Sequence, residues 1–263
     1  MNGFDAPIRR IVIKVGSSVL TDARGRLLPA RIEQLAKGAA ACKRTGHVPV
    51  IVSSGAIACG MARLGLRQRP KALAQLQACA AIGQGELMHV YNAVFSRRGL
   101  VTAQVLLTQD DLADRARYRN AKQTLLTLLH RRVVPIINEN DTVAVEEITF
   151  GDNDRLAAFV ACAIDATLLV ILSDVDGLLE HGAVVQRVEA LSSAYRLVAP
   201  AGARQTTKGG MTSKLEAARM VTARGMPMVI ANGTSPSALA DVLAGKPIGT
   251  FFAPRRPGVP PSP

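Results

Sequence analysis

Residues 133–141 read Val-Val-Pro-Ile-Ile-Asn-Glu-Asn-Asp, and residues 151–154 read Gly-Asp-Asn-Asp, just ahead of an apolar run at 156–164. A β-branched segment that ends abruptly in Asn, Glu and Asp predicts a buried parallel strand emptying into a site. In open α/β sheets, ligands collect at the carboxyl ends of the strands. The second cluster opens a helix, with Asp152 or Asn153 as its N-cap. Acceptors, carboxylates and a helix N-terminus therefore converge on one sheet edge, which suits a charged small molecule.

Outward from this stretch, strand and helix signals alternate. Strands are expected at 11–15, 48–52, 101–107, from 133, at 168–172, 228–231 and 250–252, with 184–188 as one arm of a short hairpin. Helices are expected at 29–44, 71–97, 115–131, after Asp154, at 212–224 with Gly225 as the stop, and near 237–243. Residues 142–150 read as a hairpin-like insert. The order predicts an α/β chain, a three-layer αβα sandwich around a largely parallel central sheet, as one domain over 1–253. The Pro-rich tail at 254–263 is too poor in apolar side chains to fold alone.

Composition narrows the class. Hydrophobic residues make up 48% of 263, enough for a sizeable core, yet no apolar run approaches membrane-spanning length. Arg9 and Arg10 directly precede a short strand, which is not the order of a signal peptide. Cys42, Cys59, Cys79 and Cys162 lack CxxC spacing or neighbouring histidines, so reduced positions in helical cores of a cytoplasmic protein are expected. The formal charge of +12 gathers partly at Arg63, Arg67, Arg69 and Lys71, and at Arg115, Arg117, Arg119 and Lys122. With three Tyr, six Phe and no Trp, and Tyr118 alone lying among these groups, they read as solvated helix faces. Such a field favours the approach of anionic substrates. Neither membrane nor nucleic-acid partners are expected.

Three glycine-bearing turns carry chemistry: 14–18 (Lys-Val-Gly-Ser-Ser), 53–56 (Ser-Ser-Gly-Ala) and 208–214 (Lys-Gly-Gly-Met-Thr-Ser-Lys). Glycine lets backbone N–H groups approach an oxyanion closely, and helix N-termini add positive potential. Together, two of them bearing lysine, they favour phosphate handling. No P-loop and no protein-kinase motif is present. His47, His89, His130 and His181 are isolated and read as structural or surface residues.

On the segments 13–20, 53–58, 138–141, 151–154 and 209–214, the chain resembles the glutamate 5-kinases of the amino acid kinase family, in family order from about residue 11 to 252. The resemblance implies transfer of a phosphoryl group from ATP, with Mg²⁺ on the nucleotide oxygens and no metal ligands from the protein, to the side-chain carboxylate of L-glutamate, the first step of proline synthesis. It implies that Lys14 and Lys214 flank the transferring group, that Asp154 holds both lysines, and that Gly16 and Gly55 bring backbone donors. Ser54, Gly55, Asp141 and Asn153 would bind glutamate, with Asp141 meeting the α-ammonium. Lys14, Gly16, Ser173, Asp174, Lys208, Gly209, Gly210, Met211, Thr212, Ser213 and Lys214 would meet the nucleotide. Feedback inhibition by proline, through the glutamate site and the insert at 142–150, and a homo-oligomer built through the basic helical region at 71–131 are further implications.

The match departs from the family in four places. Ser173 replaces a usual Thr, Lys208 replaces another, the stretch 178–182 is shorter than the usual hairpin, and the small PUA domain of many bacterial members is not expected here. A paralogue acting on another acidic amino acid is the alternative these departures suggest. A non-catalytic ligand sensor or basic RNA-binding protein is the alternative the charge suggests.

Overall fold

The apolar runs pair edge to edge because each is buried on both sides and satisfies its backbone only through neighbouring strands. The computed structural model describes residues 10–144, 153–198 and 210–255. In order these are β1 (Arg10–Val15), α1 (Ser17–Leu20), α2 (Pro29–Arg44), β2 (Val48–Val52), α3 (Ala56–Arg63), α4 (Leu73–Ser96), β3 (Thr102–Leu107), α5 (Gln109–Ala113), α6 (Arg115–His130) and β4 (Val134–Glu139). There follow α7 (Asn153–Ala163), β5 (Leu168–Ser173), β6 (Leu179–Glu180), β7 (Ala183–Val184), β8 (Arg187–Val188), α8 (Leu191–Val198), α9 (Met211–Thr222), β9 (Met228–Asn232), α10 (Ala238–Leu243) and β10 (Thr250–Phe252).

Eight strands form one sheet in the order β3-β4-β2-β1-β5-β9-β10-β8. Every adjacent pair is parallel except β9 with β10. At the centre, Ile13 pairs with Ile51 on one side and Val170 on the other. Ile11, Ile13 and Val15 face a core completed by α2, α4 and α10. Val12, Ile137 and Ile171 face the opposite core, under α6, α7 and α9. Strand alternation therefore sends Lys14, in phase with Val12, toward the α7 layer. This is the three-layer αβα sandwich the sequence predicts.

Several boundaries differ from expectation. The long helix is Leu73–Ser96, not 71–97, and the 212–224 helix runs Met211–Thr222. Residues 184–188 do not make one arm of a hairpin. Ala183–Val184 pairs with Leu179–Glu180 around His181 and Gly182, while Arg187–Val188 leaves that ribbon to pair with β10. Helix α7 is described from Asn153 onward, and Asp152, one of the two expected N-caps, lies outside the described residues. Residues 145–150 of the insert and 256–263 of the tail also lie outside them. All four cysteines are free, buried and helical, as expected. Among the described residues, no helix is long and apolar enough to cross a membrane.

Because β1, β2, β4 and β5 run parallel, their carboxyl ends share one edge. Gly16, Ser53–Gly55, Asn138–Asp141 and Ser173–Asp174 leave the sheet there together.

Candidate active site

Lys14, the fifth residue of β1, is 5% exposed, and its Nζ lies 2.5 Å from Asp154 Oδ1. Lys214, in the first turn and a half of α9, is also 5% exposed and donates to Asp154 Oδ2 at 3.0 Å. Asp154 itself is 0% exposed, in the first turn of α7, where the helix dipole favours a carboxylate. Ser213 Oγ lies 3.3 Å from the same Oδ2. Three elements distant in sequence thus deliver two ammonium groups and one carboxylate to a single point. Those three groups together carry one net positive charge, and burial strengthens its pull on an anion.

The glycine turns meet beside this cluster. Gly16 N–H donates to Leu172 O at 3.0 Å, so it is engaged at the end of the sheet. Gly55 caps α3 at φ 97°, the left-handed region that a side chain strains, and its missing Cβ would sit 3.8 Å from Ser17 Cα. Gly210 caps α9, with Met211, Thr212 and Ser213 half-buried in the following turn. Ser173 is buried at the end of β5 and donates to the exposed Asp174 at 3.1 Å. Lys208 and Gly209 lie outside the described residues.

A second group surrounds Asn153. Its Nδ2 donates to Ser53 O (2.8 Å), Ser54 Oγ (3.0 Å) and Asn138 Oδ1 (2.9 Å), an amide shared among three acceptors. Its Oδ1 is buried and, among the described residues, without a hydrogen-bond partner. Asp141 follows β4 half-buried, and burial pushes its carboxyl up to about 6 against the opposing pull of Arg69. Asn140 Oδ1 accepts from Thr142 Oγ1 at 2.5 Å, holding the turn after the strand.

Two participants were not assigned a role from sequence. Gln84 of α4 accepts from Asn138 Nδ2 at 2.9 Å, and Tyr91 OH lies 3.1 Å from Ser53 Oγ. Both sit within an apolar helix face, where no local signal separates them from packing residues. Among the described residues no group of three His, Cys, Asp or Glu side chains gathers around a point that could hold a metal ion.

Residues 9–232 match the amino acid kinase family. The chain belongs to that family. Within it, the chain is 48% identical over 254 residues to the glutamate 5-kinase of Moorella thermoacetica, covering 94% of this chain and 67% of that one. It is 49% identical over 258 residues to the glutamate 5-kinase of Salinispora arenicola (95% and 69% covered), and 47% over 253 to that of Thermus thermophilus (94% and 68%). The chain thus spans about two thirds of the length of these relatives. A carbamate kinase from Giardia superposes with a TM-score of 0.67 at 18% identity, covering 95% of this chain and all of that one. That likeness shows the amino acid kinase fold.

Proposed function

We propose that the chain transfers the γ-phosphoryl group of ATP to the side-chain carboxylate of L-glutamate, giving γ-glutamyl phosphate for proline synthesis. The observation that carries this is the buried Lys14–Asp154–Lys214 cluster on the same sheet edge as Ser54, Asp141 and Asn153. The similarity to named glutamate 5-kinases supports the same acceptor.

A glutamate side chain, with pKa about 4.3, is ionised at neutral pH and needs no general base. The obstacle is repulsion between two anions and their alignment, and phosphoryl transfer is mostly positioning and electrostatics. Lys14 and Lys214 stand on either side of the transferring group, and Asp154 fixes their separation. A carboxylate oxygen forms the new bond to phosphorus as the bond to the bridging oxygen of the nucleotide breaks. Mg²⁺, when bound, supplies further charge neutralisation on the phosphates.

Asn153 Oδ1 and the Asp141 carboxylate suit the α-ammonium of the acceptor, and Ser54 Oγ, already accepting from Asn153, has its proton available for a carboxylate. In an ADP-release assay, L-glutamate is expected to be turned over. N-acetyl-L-glutamate, which lacks the ammonium, and L-aspartate, one carbon shorter, are expected to fail. Equal rates with the acetylated compound would overturn this assignment of Asp141. Proline in the same assay is expected to raise the KM for glutamate.

The Asp141 pKa sets a pH dependence. Its raised value means the carboxyl is neutral below about 6 and ionised above it. Its ionisation therefore costs folding stability above about 6, a cost absent below the ordinary 3.8. Only the ionised form attracts the ammonium. The kcat/KM for glutamate is expected to fall as pH drops through about 6, and Asp141→Asn to flatten that limb at a low value. A profile unchanged by the substitution would contradict the assignment.

A cytoplasmic homo-oligomer belongs to the same reading and is checked by sedimentation equilibrium. Its support is the outward face of α4, where Ala78, Ala81 and Ile82 are exposed, with Leu64 and Leu66 exposed in the segment after α3.

A further inference from the structure

We propose that Gln84 is a positioning residue for the amino-acid subsite: it fixes the amide of Asn138, and through it the amide of Asn153, so that Asn153 Oδ1 is the atom offered to the substrate's ammonium. This rests on the glutamate reading above.

The polarity of the chain of amides follows from its two backbone ends. Asn138 Oδ1 accepts from the Glu139 N–H at 3.0 Å, and a backbone N–H can only donate. Asn138 must therefore turn Nδ2 toward Gln84, which must answer with Oε1, at 2.9 Å. At the other end Ser53 O can only accept, so Asn153 presents Nδ2 to it and to Asn138 Oδ1. Asn153 Oδ1 is then directed away from Ser53, Ser54 and Asn138, buried and, among the described residues, without a hydrogen-bond partner. A buried acceptor left in that state is explained by a donor that arrives with the ligand.

Gln84 reaches this chain because α4 crosses α3 at backbone contact. A Cβ on Gly83 would lie 1.8 Å from Ala56 O and 2.5 Å from Gly60 N. The next residue, Gln84, is thereby pressed under the turn that carries Ser53 and Ser54. It is 8% exposed, and its Nε2 has no partner. A methionine or leucine would fill that volume without burying an unsatisfied N–H. Among the described residues, holding Asn138 is the hydrogen-bonding task that the Gln84 side chain performs.

The test is steady-state kinetics of the full chain with Gln84→Met, Gln84→Leu, Gln84→Glu, Asn153→Ala and the double variant Gln84→Met with Asn153→Ala, each with its Tm. Gln84→Met and Gln84→Leu are expected to raise the KM for glutamate by about tenfold, the scale of one lost hydrogen bond, and to leave the KM for ATP within about twofold. Gln84→Glu keeps the acceptor oxygen and is expected to stay within about threefold of the wild type, following the same hydrogen bond. In the Asn153→Ala background, Gln84→Met is expected to add nothing. A glutamate KM unchanged in Gln84→Met, equal losses for both substrates, or an undiminished effect in the Asn153→Ala background would each overturn the proposal. So would failure of both apolar variants to fold, which would assign Gln84 to packing. Absence of glutamate-dependent turnover in the wild type overturns this inference and the functional reading together; a wild-type KM in Gln84→Met overturns this inference alone.

Discussion

Asp154→Asn is expected to abolish turnover almost completely, with kcat lowered by about 10³-fold, the upper end for losing one preorganised electrostatic group. Asp154 is fully buried and is a carboxylate that Lys14 and Lys214 share. An Asn of the same shape keeps the packing but removes the charge between two buried ammonium groups. Breaking a buried ion pair from one side costs about 3–5 kcal/mol. For a chain of this size that is a fall in Tm on the order of 10 °C. Lys214→Met separates the two effects. It leaves Lys14 and Asp154 as a matched pair, so stability should hardly fall, while turnover should drop by about 10²-fold or more. A Lys214→Met enzyme with near wild-type kcat would remove Lys214 from the chemistry. An Asp154→Asn enzyme that melts normally would show that the lysines do not depend on it.

The second large effect concerns the contact that places the amino-acid subsite. Gly83→Ala drives a methyl group to 1.8 Å from Ala56 O, a position that only separation of α3 from α4 relieves. Gly60→Ala does the same against Cys79 O, also at 1.8 Å. Overpacking against side chains costs about 1–3 kcal/mol, and against rigid helix backbone more. Both variants are expected to melt well below the wild type, and any folded Gly83→Ala enzyme should bind glutamate poorly. Gly85→Ala is the control. Its Cβ would meet nothing within 4 Å, so the substitution should be neutral or stabilise α4 by up to about 1 kcal/mol. Thermal melts of Gly83→Ala and Gly85→Ala side by side decide the matter, and equal Tm values would contradict the backbone-contact account.

The sheet was legible because its strands are short apolar runs, rich in β-branched residues, with polar ends. Ile11 to Val15, Val50 to Val52 and Leu168 to Leu172 are all buried, and that double burial is what a continuous apolar run encodes. The common edge followed, since parallel strands bring Lys14, Ser54 and Asn138–Asp141 to one side whatever the helices do. Shorter elements were harder. Helix α5 starts with a capping box, Thr108 with Asp111, but five residues give no apolar period to read. The stretch after Gly55 carries no element expectation, yet Gly60 and Gly83 allow α3 and α4 to pack closely where a helix forms. Arg187–Val188 joins the sheet only because β10 lies beside it, a tertiary fact with no local signature. Gln84 has no local signature either: it lies within an apolar face of α4 like a packing residue, and only the close crossing of α4 over α3 accompanies its contact with Asn138.

The central claim is that a carboxylate oxygen of glutamate attacks phosphorus at the Lys14–Asp154–Lys214 cluster. The most direct measurement is a hydroxylamine trap with ATP, Mg²⁺ and L-glutamate, in which an acyl phosphate is captured as its hydroxamate. γ-Glutamyl hydroxamate is predicted to form with the wild-type chain and to disappear with Asp154→Asn and with Lys14→Ala. ADP release without hydroxamate, or hydroxamate formed undiminished by those variants, would contradict it.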